Sequence, residues 1–288
     1  MKRHLFKRIL RILLIVLSVL VVVLGYFVYR FTSPLSDSQI NGKFKKSGIF
    51  SKVEYHSFQG RKVRVIKMQE KTDTLLPTLV FVHGSPGSAM DFERYLKDPE
   101  LNAMANLISY DRVGYGPEDR GVVLGTLGEE VALLHEVMGG PETGNIIPVG
   151  YSYGGTVVMA SERPYKKKIV LAAAVRGDLE PMFWALNLYK WKLTRPMVPK
   201  VFQGASIEKF RHLSELPAYK DKWNLSPSGV LSIHGKKDRI VPFENSLFLE
   251  RVLDKGKFNL IPLPEGNHSL IWTNFDVIKH ELINTIEE

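Results

Sequence analysis

Six short, almost wholly apolar runs alternate with segments of helical length, and this alternation constrains the chain more than any other feature. The runs are 78–82, 106–110, 145–150, 168–175, 229–234 and 257–263. Helical patterns lie near 90–96, 127–138, 156–162 and 243–253, with a last one over 270–286. A strand that is apolar along its length needs cover on both faces, and strands joined through helices run parallel in one sheet. Two β-rich stretches, 52–59 and 61–69, come first, and Gly60 between them predicts a hairpin. The fold class is therefore α/β, a mostly parallel sheet with helices on both faces. One insertion breaks the alternation. Over about 178–226 there is no strand pattern, but Phe183, Trp184, Tyr189, Trp191, Phe202, Phe210, Tyr219 and Trp223 fall there, including three of the four tryptophans. This predicts a small helical lid.

The chain opens differently. Residues 12–29 carry no charge and consist mainly of Leu, Val and Ile. As a helix they span about 27 Å, close to the hydrocarbon thickness of a bilayer. Arg11 and Arg30 bracket the run, and Tyr26, Phe27, Tyr29 and Phe31 stand where an interfacial aromatic belt belongs. A cleaved signal peptide has a shorter apolar core ending in small residues, whereas this one ends in bulky ones. The expectation is one retained transmembrane helix within 1–31, then a polar linker over 32–50 and a soluble domain over 51–288. Five Lys/Arg precede the apolar run. By the positive-inside rule the N-terminus is then cytoplasmic and the main domain extracytoplasmic.

The net charge of +9 raises the question of a polyanionic partner. Lys2, Arg3, Lys7, Arg8 and Arg11 supply five of those charges and leave +4 for all the rest, too little for a nucleic-acid footprint. The chain has no cysteine, which excludes disulfides, thiolate metal sites and a cysteine nucleophile. No metal or dinucleotide motif has the required spacing.

Chemistry concentrates after the strands. Gly150-Tyr151-Ser152-Tyr153-Gly154-Gly155 follows a strand pattern and precedes a helical one. A serine on so sharp a turn presents its hydroxyl at the carboxyl end of the sheet, with glycines where side chains would collide. His83-Gly84-Ser85-Pro86-Gly87 follows the strand 78–82. Its loop and the turn after Ser152 can aim two backbone N–H groups, those of Ser85 and Tyr153, at a developing oxyanion. One such donor is worth about 2.7–4 kcal/mol in a transition state. Asp238 and His268 lie in loops after the last two strands. The order Ser152, Asp238, His268 is that of nucleophile, acid and base in this architecture, at the strand ends where open α/β sheets carry their sites.

With these motifs, the span 52–286 resembles the α/β-hydrolase superfamily, in the group whose oxyanion loop reads His-Gly-x-Pro-Gly. Asp111-Arg112-Val113-Gly114-Tyr115-Gly116 is similar to that group's structural Asp-x-x-Gly-x-Gly segment. The resemblance implies an α/β-hydrolase fold with an eight-stranded sheet, a lid inserted after the sixth strand, and no cofactor. Asp178, after the sixth strand, is the alternative position for the acid. A serine at position 152 sets the chain apart from the dehalogenase and epoxide-hydrolase branches, which place an aspartate there.

The expected reaction is hydrolysis of an ester, thioester or amide through an acyl-enzyme at Ser152. The aromatic lid points to a small-molecule or lipid-like substrate with an apolar acyl or aryl part, and Phe183, Trp184 and Trp191 are the pocket candidates. Three alternatives stand beside this reading. A proline-type aminopeptidase would need lid carboxylates for the substrate amine, from Glu180, Glu208 or Glu215. An acyltransferase would use the same triad, and a membrane-tethered binding module would use none of it.

Overall fold

The computed structural model describes residues 2–140 and 144–288. The side chains of Lys2, Arg3 and Phe31, named above for the basic tail and aromatic belt, lie outside the described ones. The strands are β1 (Lys52–Phe58), β2 (Arg61–Lys67), β3 (Thr78–Val82), β4 (Asn106–Tyr110), β5 (Ile146–Tyr151), β6 (Lys168–Leu171), β7 (Val230–Gly235) and β8 (Phe258–Leu263). They form one eight-stranded sheet in the order β1-β2-β4-β3-β5-β6-β7-β8. β1 and β2 pair antiparallel, as the hairpin predicts, β2 and β4 are antiparallel as well, and every later pairing is parallel. The solid apolar runs of the interior strands are buried on both sides, while the edge strand β8 is only partly covered. In β3, Leu79 and Phe81 belong to one core and Val80 and Val82 to the other, because successive side chains leave opposite faces.

Register brings the functional loops together. Val82 lies opposite Gly150, so the loops leaving β3 and β5 start side by side. Gly235 lies opposite Leu263, which does the same for the loops after β7 and β8.

One expectation is corrected. Residues 32–50 are not simply a polar linker, since Asp37–Lys46 is a helix. Ser36 caps it in a reciprocal box with Gln39, satisfying donors that a helix start leaves open. Ile40 and Phe44, four residues apart on one face, are fully buried in the first core. Buried Arg64 fastens this segment, donating to the Leu35 carbonyl at 2.6 Å and pairing with Asp37 and Asp111. The domain thus begins near Ser36. Two apolar residues among polar ones were too faint a signal for a core helix.

The N-terminal helix runs Lys2–Thr32. Its candidate membrane span Phe6–Arg30, with mean hydropathy 2.9, has no residue buried by the domain. The lid is built from short turns, a helix over Asn187–Lys190 and a longer one over Lys200–Glu215.

Candidate active site

The turn out of β5 places Ser152 at φ 54°, ψ −118°, where a side chain is strained. The surroundings enforce it. Ser152 N–H donates to Leu171 O at 2.9 Å, and the Ser152 carbonyl accepts from Gly155 and Ala174. A Cβ on Gly150 would come within 2.3 Å of Gly154 O, and one on Gly154 within 2.1 Å of Val82 O. Only glycine lets the helix Tyr153–Ala160 pack this close to β3 and β5.

His268, from the loop after β8, holds Ser152 Oγ at 3.1 Å from Nε2 and Asp238 Oδ2 at 2.7 Å from Nδ1. The carboxylate only accepts, so Nδ1 carries the proton and Nε2 offers its lone pair to the serine hydroxyl. Asp238 Oδ1 accepts from the N–H groups of Ile240 and Val241. Burial pushes its carboxyl up, but hydrogen bonds from His234 and His268 outweigh this and hold it well below the usual carboxylate range. An anion is therefore fixed behind the imidazole. Such a chain can draw a proton from Ser152 as its oxygen attacks a carbonyl, then return it to a leaving group. Asp178 is elsewhere, half in solvent and paired with Arg176.

The loop after β3 closes the other side. Gly84 lies against the serine, since a Cβ there would be 3.0 Å from Ser152 Cβ. Arg112, fully buried, donates through Nη2 to Gly84 O at 3.0 Å and through Nε to His83 O at 3.2 Å. Among the described peptides the one cis bond is Ser85–Pro86, so the Gly84–Ser85 peptide is trans. Its N–H points opposite to its carbonyl, and Arg112 thereby turns the Ser85 N–H away from itself. Arg112 also meets Glu130 and Glu208, each at 2.9 Å. Tyr115 donates to Glu208 at 2.6 Å and accepts from Ser85 Oγ at 2.7 Å. Burial pushes both carboxyls up. Arg112 outweighs this at Glu208, which stays below the usual range, while Glu130 rises to about 7.

Ser85, Ser152, Tyr153 and His268 open onto a cavity of about 820 Å³ beneath the lid. Its walls are mainly apolar and include Phe183. Trp184 and Trp191 are corrections. Both face outward from the lid, edge to face at 6.1 Å, and neither lines the cavity. The turns 184–186 and 187–190 are too short to present every aromatic inward, and Pro199, Phe202, Val241 and Trp272 take that role. One wall is polar. Glu180 accepts from His212 at 2.9 Å and pairs with Lys209, and His212 stacks on Tyr153 at 4.8 Å. The Arg112–Glu208 pair and this wall escaped the sequence, because their members lie 96 and about 30 residues apart.

The sequence matches the profile of the alpha/beta hydrolase family over residues 79–278. Comparison with curated proteins matches none of them. Among solved structures, an esterase from Exiguobacterium antarcticum is similar at 18% identity and TM-score 0.61, covering 81% of this chain and 98% of its own. A bromoperoxidase from Bacillus anthracis has 18% identity and TM-score 0.60, over 82% of this chain and 100% of its own. A membrane phospholipase A described as a bacterial virulence factor has 14% identity and TM-score 0.60, over 97% of this chain and 99% of its own. At these identities the structures speak for the fold. The profile spans more than half of the chain and carries β3 through β8 with the loops just described, and on that ground the chain belongs to the alpha/beta hydrolase family.

Proposed function

We propose that the protein is a membrane-anchored serine hydrolase that cleaves carboxylic esters with an apolar acyl or aryl part. The observation that carries this reading is the unbroken hydrogen-bonded line Asp238–His268–Ser152, ending at a mainly apolar cavity of about 820 Å³. In the proposed cycle, Ser152 Oγ attacks the ester carbonyl while His268 Nε2 takes its proton. The Ser85 and Tyr153 N–H groups hold the oxyanion. The alkoxide leaves with the proton from His268, and water, deprotonated by the same imidazole, releases the acid from Ser152. The apolar walls favour a chain or ring that gains by leaving water.

An aminopeptidase needs a free carboxylate in the lid. Glu180 is paired with Lys209 and His212, Glu208 with Arg112, and Glu215 with Arg211 and the Leu127 N–H. This favours an uncharged acyl part over a substrate amine. The exposed apolar helix, with basic residues before it, supports a single-pass anchor with the N-terminus cytoplasmic.

The test is a fluorophosphonate probe on the full chain, beside Ser152→Ala and His268→Ala. Labelling of the wild type that vanishes in both variants is the expected result, followed by turnover of esters over amides. A folded wild type that does not label would refute the reading and favour a binding module.

A further inference from the structure

Residues 181–207 of the lid contain no aspartate or glutamate, yet carry Lys190, Lys192, Arg195 and Lys200. The ion pairs described in and beside the lid lie outside this stretch, at Arg176–Asp178, Lys209–Glu180 and Arg211–Glu215. Instead Lys190 and Arg195 rest on the rings of Phe210 and Tyr189. The same stretch exposes large apolar side chains, with Leu193 at 89%, Met197 at 80%, Trp184 at 67% and Trp191 at 50%. Phe183 and Met197 are exposed and also line the cavity, so the patch borders the site's mouth.

The N-terminal helix ends on the same side. Arg120 donates to the Thr32 carbonyl at the end of that helix. Its neighbour Gly121 packs on the first residue of the lid helix, where a Cβ would come within 2.6 Å of Lys200 O. The uncharged run 12–29 is about 27 Å long as a helix and matches a hydrocarbon core of about 30 Å. Thr32 then leaves the bilayer next to the lid.

We infer that the lid face of 182–200 docks on the anionic surface of the bilayer that the N-terminal helix spans. The tryptophans and Leu193 enter the interface while the four cations meet lipid phosphates. Exposed apolar side chains rimmed by cations are the composition such an interface selects. The cavity mouth then opens at the level from which an acyl chain can leave the lipid. Docking does not depend on the hydrolase reading, and it can be measured in Ser152→Ala.

The N-terminal helix has no tryptophan and Trp223 is buried away from lipid, so quenching by lipid reports on the outward-facing Trp184 and Trp191 and on Trp272 at the cavity. The full-length Ser152→Ala protein is reconstituted in phosphatidylcholine vesicles with or without phosphatidylglycerol, their acyl chains brominated near the headgroup. Strong quenching on the anionic vesicles is expected, with most of it lost in Trp184→Phe/Trp191→Phe. Lys192→Glu/Arg195→Glu should lose it as well. Protein that floats with the vesicles but is not quenched, or equal quenching in the double Phe variant, overturns the docking surface. Equal quenching without phosphatidylglycerol overturns its anionic preference. Protein that does not float overturns both surface and anchor.

Discussion

Asp238 touches no solvent-facing part of the cavity, yet the proposed chemistry depends on it. Its charge selects the His268 tautomer that can receive the serine proton. Asp238→Asn keeps the size but removes the anion and can leave Nε2 protonated. We expect kcat on an ester to fall by about 10⁴-fold with little change in KM, read from steady-state kinetics. Asp91 makes a second residue-scale case. Burial, with the Asp111 charge adding to it, pushes its carboxyl up to about 7, against the opposing bonds from Ser88. A raised folded value means that this group's stabilising share is complete below the unfolded value and is lost as pH rises through the folded one. Asp91→Asn can still accept from the Ser88 N–H and has no proton to lose. The variant's melting temperature relative to wild type should therefore climb between about pH 4 and about 7, then level off. A difference independent of pH would refute the shift.

At the scale of elements, the elbow shows why its motif is short and rigid. Gly154→Ala drives a Cβ to 2.1 Å from Val82 O, and Val82 leads directly into the His83–Gly87 loop. We expect a loss of about 3 kcal/mol or more, measured by denaturant unfolding. The interior strands were readable because full burial demands uninterrupted apolar runs. The helix Leu127–Met138 was readable from its helical pattern, and in the structure Thr126 at its cap and Glu129 in its first turn close a capping box. The helix Pro99–Met104 was not, being six residues of weak periodicity started by Asp98. In the lid, counting aromatics marked Phe183, Trp184 and Trp191 alike, and of these only Phe183 lies on the cavity wall. The count could not tell inward from outward, because that depends on where each short turn docks.

For the whole molecule, the segment ahead of the hairpin belongs to the core. Phe44→Ala in the full chain should cost about 3–5 kcal/mol by denaturant unfolding. A chain starting at Ser33 should melt like the full domain. One starting at Ser51 should melt far lower, because it strips Ile40, Phe44 and the Leu35 carbonyl from the sheet and Arg64. Equal melting of the two truncated forms would show the helix to be dispensable.

What the sequence determined by itself was the alternation of buried strands and helices, the glycines of the elbow, and the order Ser152, Asp238, His268. These are local properties: burial writes composition, and a close turn leaves room only for glycine. The tertiary structure decided the rest. It joined Arg112 to Glu208 across the lid, turned Trp184 and Trp191 outward, drew 36–46 into the core, and set the lid beside the end of the N-terminal helix. Each of these joins residues distant along the chain, and the free energy of such contacts depends on packing that no single window of sequence contains.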